Sequence, residues 1–489
     1  MKKVLLQLLH DLKQNDFIRN IAKTITGGLL VKLIGFLSIA IIARLYSPEE
    51  FGILEFAVSI QLIAITFTSF KYDQAIIVAK EEESAINLFA LSMVILTIIS
   101  IIIVIITFFV HKYIIEFESI LELGNLIYFI PFFILLRGFR DNLNSWSLRK
   151  KRFGRSVFAD IINKLGEVIF KIILSGLGIV GLFLGTTVGL FSTCIILLYF
   201  MLKIDIKSFQ NISFSQMKAN FIKYKNFPMF LMPSHLFRMV SDRLPALILN
   251  PFFGFEIVGY YSISYKLFNE PLAILGKSIG DVFYQETSKR HIEQRNIKNL
   301  VYQVFEKLFI MSFLPILILT ISGKLLISVF LGDSWDLAGY YTQILAPMIF
   351  FRLISNTTSS IFNVFAKQYL DMIFNALLLT CGLTSLIIGG ILNSASLGLT
   401  FLSASHSVVY LLSIITILSI CKISFLKLLK NLFIPFILAI VAIVIYLLLI
   451  KFIINNNILQ ILLCVIISGL YYLTILFFQT IRKKIKEET

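Results

Sequence analysis

Apolar runs of about 20 residues alternate with short polar segments along nearly the whole chain. Each run is long enough to cross a hydrocarbon layer of roughly 30 Å as a helix rising 1.5 Å per residue. About fourteen spans follow from this pattern: 24–46, 52–70, 85–110, 125–147, 157–179, 182–202, 227–249, 257–280, 301–321, 340–363, 369–392, 396–420, 431–453 and 457–480. The pattern breaks its own rule most sharply between Asn226 and Asp281. Two spans there, joined by Asn250-Pro251-Phe252-Phe253-Gly254, carry His235, Arg238, Asp242, Arg243, Lys266, Glu270 and Lys277. A charge at mid-bilayer costs about 2.5 kcal/mol or more unless it faces protein or water. Keeping several therefore predicts a polar cavity within the membrane.

Composition agrees with the pattern. Of 489 residues, 58% are hydrophobic, and the mean hydropathy is +0.89, which excludes an ordinary soluble domain. The net charge of +16 would suggest nucleic acid in a soluble protein. Here the cations lie in the connecting loops, so topology accounts for them and no nucleic-acid partner is expected. The segments 1–23, 71–83, 149–155, 203–225, 284–299, 366–368, 422–430 and 482–486 hold 29 Lys and Arg, against three (Lys112, Lys324 and Lys451) on the opposite side. That asymmetry predicts cytoplasmic termini and an even number of spans. Residues 1–23 read as a cytoplasmic interfacial helix, with Leu5, Leu8, Leu9 and Leu12 on one face.

The intramembrane charges are the candidate chemistry. A cationic substrate site is assigned to Arg238, Lys32, Arg44, Lys266, Arg243 and His235. Guanidinium groups suit phosphate because their planar fork donates two charge-assisted hydrogen bonds. The competing reading is local neutralisation, or snorkelling of Lys32 and Arg44 toward the two interfaces. Arg137 and Arg352 are further intramembrane cations, the latter on an outer helix. Asp160, Lys164, Glu167 and Lys171 share one face of the fifth span, with alternating sign. This is either a self-neutralising seam or a proton or sodium site at Glu167. Glu270, beside Pro271, is either a hinge and ion-coupling site or the partner of Lys266 one turn earlier. Cys194, Cys381, Cys421 and Cys464 have no ligand spacing, and the five histidines never cluster, so no disulfide, metal site or cofactor is expected beyond H+ or Na+ coupling. Gly176-Leu-Gly178-Ile-Val-Gly181 matches a dinucleotide pattern but follows no strand; it reads as a turn between spans five and six, and Gly181, Gly185 and Gly189 as a helix-packing stripe.

A faint repeat relates Tyr46-Ser47-Pro48-Glu49-Glu50-Phe51-Gly52-Ile53 to Phe253-Gly254-Phe255-Glu256-Ile257-Val258-Gly259-Tyr260. Two six-span halves and a trailing pair explain it, dividing the chain into an N-lobe (24–202), an inter-lobe loop (203–226), a C-lobe (227–421) and spans 13–14 with a basic tail (422–489). Transporters place substrate between such halves.

The stretch from Gly27-Gly28-Leu29 through Arg44-Leu45-Tyr46-Ser47-Pro48-Glu49-Glu50-Phe51-Gly52 resembles the first hairpin of Wzx-type O-antigen and capsule flippases. Leu148-Arg149-Lys150-Lys151-Arg152-Phe153 and Val258-Gly259-Tyr260-Tyr261-Ser262 are similar to two further segments of that family. The resemblance covers essentially the whole chain. It implies the all-α fold of the multidrug/oligosaccharidyl-lipid/polysaccharide exporter superfamily: two six-helix lobes around a V-shaped cavity lined by spans one, two, seven and eight. It also implies a substrate, an undecaprenyl-diphosphate-linked oligosaccharide, moved across the bacterial inner membrane by alternating access. Membrane lipids, a polysaccharide polymerase and a chain-length regulator are the implied partners. A peptidoglycan-precursor flippase and an ion-coupled multidrug exporter are the alternatives. A polymerase or ligase would need an extended external loop; the longest, His111–Gly124 and Gly323–Gly339, run only about 15 residues, so no enzyme is expected.

Overall fold

The computed structural model describes residues 16–113, 124–365, 367–452 and 456–488. They are helical throughout, with no strand among the described residues. The interfacial helix expected at the N-terminus lies mostly outside them. The chain divides into two compact units, Met1–Gly259 and Tyr260–Thr489.

The first unit is built from α1 (Asp16–Leu45), α2 (Pro48–Ala64), the short α3 (Tyr72–Val78), α4 (Glu82–Tyr113), α5 (Phe129–Arg149), α6 (Phe153–Ile173), α7 (Ile179–Asp205), α8 (Phe214–Lys223) and the start of α9 (Met232–Ile292). Local chemistry sets the first turn. The Ser47 hydroxyl accepts from the Glu50 amide at 3.2 Å, the Glu50 carboxylate accepts from the Ser47 amide at 2.7 Å, and Pro48 occupies the first helical position. This reciprocal cap satisfies two otherwise orphaned donors, so α2 starts there. Its core is aromatic: Phe133 of α5 stacks on Phe183 of α7 at 5.4 Å, and Gln61 of α2 donates to the Phe133 carbonyl at 3.0 Å. The Tyr46 hydroxyl donates to the Lys171 carbonyl at 2.6 Å, fastening the end of α1 to α6. As expected, the turn at Ser175–Gly178 separates α6 from α7, and Gly185 and Gly189 of α7 lie directly on the α6 backbone.

One glycine pair is special. A Cβ on Gly52 would lie 1.7 Å from the Phe255 carbonyl oxygen, and one on Gly259 would lie 1.8 Å from that of Pro48. The two repeat motifs therefore touch each other reciprocally, backbone on backbone. Gly254 just before the crossing has φ +79° and breaks α9, a conformation that costs a glycine little.

The second unit comprises the rest of α9, α10 (Lys298–Leu331), α11 (Asp336–Thr358), the short α12 (Ser360–Val364), α13 (Gln368–Ile391), α14 (Ala395–Ile420), α15 (Phe425–Phe452) and α16 (Asn457–Glu488). The last two pack on α10: Tyr446 and Ser322 hydroxyls meet at 2.8 Å, and the Tyr472 hydroxyl donates to the Met311 carbonyl at 2.7 Å.

The spans placed at 227–249 and 257–280 meet at the break at Gly254, as the sequence divides them, and the second runs on to Ile292. Two sequence expectations change. The external loop expected over Gly323–Gly339 is mostly helix: α10 runs to Leu331 and a single 3-10 turn leads into α11. The inter-lobe loop is ordered as a 3-10 turn and α8, because the Asn87 side chain donates to the Asn211 carbonyl at 2.8 Å and accepts from the Ser213 amide at 2.8 Å. Nine described helices are long and apolar enough to cross a membrane. α2 is shorter than that measure requires, and α5 and α6 are more heavily charged.

Candidate cationic site

The turn after α2 organises the polar centre of the first unit. Phe70 and Lys71 both adopt left-handed backbone, with φ +45° and +64°, which is costly for side-chain-bearing residues and marks functional or tightly held segments. The Ser69 hydroxyl reaches the Asp73 carboxylate, the Lys71 amide donates to the Ser69 oxygen at 3.2 Å, and the Tyr72 hydroxyl donates to the Phe221 carbonyl at 2.9 Å. Lys71 is thereby buried. Burial, the largest influence, pulls its ammonium below the usual lysine range; Asp73 and Asp141 push it back up, and Arg238 adds to the lowering. Burial likewise raises the Asp73 carboxyl, opposed by Ser69 and Lys71. An ammonium held this way gains from an incoming anion.

α5 brings a row of charges to the same region. Arg137 and Asp141 are 3.8 Å apart, Arg140 donates to Asp141 at 3.0 Å, and its other arm reaches Asp160 of α6. α9 supplies the remainder. His235 Nδ1 lies 3.4 Å from the Thr66 hydroxyl, and the charges of Lys71, Arg238 and Asp141 all act on its ring. Arg238 is exposed, and among the described residues no carboxylate lies within ion-pair distance of it. The cluster thus sets Lys71, Arg137, Arg140 and Arg238 against Asp73, Asp141 and Asp160, with Arg238 as the cation available to a ligand.

The other sequence-selected residues are distributed more widely. Arg243, five residues along α9 from Arg238, donates to Glu55 of α2 at 2.8 Å, and that carboxylate is 8% exposed. Glu167 is held between Lys164 at 3.0 Å and Lys171 at 2.5 Å. Lys32 and Arg44 are exposed on α1. In the second unit, Lys266 and Glu270 are half-buried one turn apart on α9. Arg352 donates to the Tyr265 hydroxyl and stacks over its ring at 5.4 Å, while Tyr265 stacks on Tyr261 at 5.8 Å.

Lys71, Asp141 and Arg140 were not selected from sequence. Lys71 counts there as one more loop lysine, since nothing in its neighbours announces a left-handed turn. Arg137, Arg140 and Asp141 do share helical spacing, and that signal could have grouped them.

A second basic cluster closes the end of this unit. Asp205 accepts from Trp146 Nε1 at 3.2 Å and from Arg152, with Lys150 at 3.9 Å; Lys150 also pairs with Glu82 at 2.5 Å. Its Lys150 and Arg152 are held by the cluster's own carboxylates. No group of three or more metal-ligating side chains occurs among the described residues.

The structure is similar to a lipid II flippase, MurJ, in an inward closed conformation, with a TM-score of 0.71 and 14% identity over 93% of this chain and 99% of that one. It is similar to an inward-facing multidrug resistance transporter of the MATE family and MOP superfamily, with a TM-score of 0.60 and 13% identity over 80% and 95%. A MOP-superfamily transporter from Pyrococcus furiosus, described as having a binding pocket of reversed polarity, gives a TM-score of 0.52 at 13% identity over 82% and 94%. No curated protein matches the sequence. A family model described as a polysaccharide biosynthesis protein matches residues 41–339, well over half of the chain. The chain belongs to that polysaccharide biosynthesis family, and its helical fold is similar to that of these flippase and transporter structures.

Proposed function

We propose that the protein is a flippase that moves an undecaprenyl-diphosphate-linked oligosaccharide from the inner to the outer leaflet of the bacterial cytoplasmic membrane, for O-antigen, capsule or exopolysaccharide assembly. The observation that carries this reading is Arg238, exposed and, among the described residues, with no carboxylate at ion-pair distance, beside the buried Lys71 and the half-buried His235. Guanidinium with a neighbouring ammonium suits the diphosphate, the part of the substrate least able to enter hydrocarbon. Lys32, Arg44 and Lys266 are assigned to later contacts with the head group, and Arg243 to a contact that must first release Glu55. Glu270 is assigned to a hinge or ion-coupling role. Glu167, already clamped by two lysines, takes an ion only if one lysine lets go.

Alternating access would present the head group first to one leaflet and then to the other. Outward movement of an anion is downhill by about 2.3 kcal/mol per charge per 100 mV. A diphosphate with about two charges gains about twice that, provided the protein's cations stay in place. Both termini on the cytoplasmic side, and association with a polymerase and a chain-length regulator, complete the proposal.

The test is glycan export in cells lacking their own polysaccharide flippase. The unmodified protein restores export, and Arg238→Ala abolishes it at equal membrane abundance. Normal export by Arg238→Ala removes that residue's role. Rescue only of cells lacking their lipid II flippase moves the substrate to the peptidoglycan precursor; rescue of drug efflux alone makes the protein a multidrug exporter.

A further inference from the structure

An apolar groove of about 430 Å³ opens in the first unit beside the cationic cluster. Its walls include Ile63, Ala64 and Phe67 from the end of α2 and the turn beyond, Ile99 and Ile103 from α4, and Leu247 from α9. Its volume falls within the range of small-molecule sites, and every residue around it is apolar. It is also half-open, so its walls are partly rather than fully buried.

The groove's lining is continuous in sequence with the charges. Phe67 is one of its walls, and the neighbouring Thr66 hydroxyl lies 3.4 Å from His235 Nδ1. Four residues beyond Phe67 is Lys71. On the facing helix, Leu247 is nine residues from Arg238, about 13 Å at 1.5 Å per residue. A ligand that fills this surface has a hydrocarbon chain, and beside the Phe67 end of that chain it carries an anion.

We infer that this groove seats the head-proximal isoprenoid units of the lipid-linked substrate, with the diphosphate on Arg238, Lys71 and His235. The inference rests on the flippase reading and adds to it a seat for the lipid tail. The groove extends only about 10 Å, from Ile60 near the end of α2 to Phe67 in the turn beyond it. It holds the start of the chain and leaves the remainder in the bilayer. A tail gripped beside its head group fixes the direction of the diphosphate, which a cationic cluster alone does not.

The test uses the full-length protein in lipid nanodiscs of phosphatidylethanolamine and phosphatidylglycerol. The probe is farnesyl diphosphate carrying a photoreactive group on its terminal isoprene. Labelling is expected on the peptides holding Ile63–Phe67 or Ile99–Ile103. Ala64→Trp and Ile103→Trp, which fill the groove from opposite walls, are each expected to weaken farnesyl diphosphate binding at least tenfold and to leave inorganic diphosphate binding unchanged. Two walls are used so that one misfolded variant, detected by loss of monodispersity, does not decide the result. Labelling confined to other helices overturns the inference, as does wild-type affinity in a folded tryptophan variant. Equal displacement of the probe by added phosphatidylglycerol also overturns it, since the groove is then a general lipid contact. Failure of the flippase reading shows separately: the unmodified protein then restores no glycan export, whatever the labelling pattern. If export is restored and both folded tryptophan variants export normally, the groove alone is refuted.

Discussion

Gly52→Ala tests the close crossing of α2 on α9. The added Cβ would lie 1.7 Å from the Phe255 carbonyl oxygen and 2.6 Å from its carbon. A real contact needs at least 3.0 Å, so the two backbones must part locally by at least 1.3 Å. Both intruding atoms are backbone, and no side chain can swing aside. Overpacking of this kind costs about 3 kcal/mol, the upper part of the usual range. Alanine returns about 1 kcal/mol through its helix propensity, leaving about 2 kcal/mol net. An unfolding entropy of about 2.1 cal/mol/K per residue gives a chain of this length about 1 °C per kcal/mol, so the melting temperature falls by about 2 °C. Gly259→Ala meets the Pro48 carbonyl oxygen at 1.8 Å and is expected to behave alike. One separation relieves both clashes, so the double variant costs little more than either single one. Gly28→Ala, whose Cβ meets nothing within 4 Å, is the control and is expected to be neutral or slightly stabilising. Thermal unfolding of the purified proteins in detergent reads all four. Wild-type melting of Gly52→Ala, or strict additivity in the double variant, refutes the argument.

Two further substitutions probe the charge networks. Asp205→Ala leaves Arg152 and Lys150 without the buried carboxylate they share and removes the acceptor for Trp146 Nε1. Breaking such a site costs about 3–5 kcal/mol, read as a fall in melting temperature, and wild-type stability would show that the cluster forms only weakly. Glu167→Gln removes the charge between Lys164 and Lys171. If the seam is structural, stability falls by about 2 kcal/mol or more while the pH dependence of export is unchanged; a changed pH dependence would instead make Glu167 the coupling carboxylate.

Much of the fold was legible because membranes simplify the code. Hydrocarbon admits only helices whose backbone groups are satisfied internally, so apolar length translates directly into elements. Side-chain capping at Ser47-Pro48-Glu49-Glu50 was equally local and could be read in place. The run of α10 to Leu331 was not: Gly323 and Lys324 resemble a span's end, yet Gly323 is buried and α11 packs closely enough to make it a helix interior. The site was only half legible for the same reason. Arg238 and His235 declare themselves by the cost of being in a span. Lys71 declares nothing, since its burial comes from a left-handed turn and from contacts with helices distant in sequence.

The basic segment between α5 and α6 has a consequence for how surface charge is read in this protein. Lys150 and Arg152 belong to the excess that argues for the chain's orientation during insertion, yet once folded they are held by Glu82 and Asp205, and Arg149 caps the carbonyls of Ile76 and Ala79. Of the four consecutive cations, Lys151 alone is exposed. The charges that steer a nascent chain and those a mature surface shows to anionic lipid are thus different sets, and electrostatic attraction to the bilayer computed from composition would be too strong here.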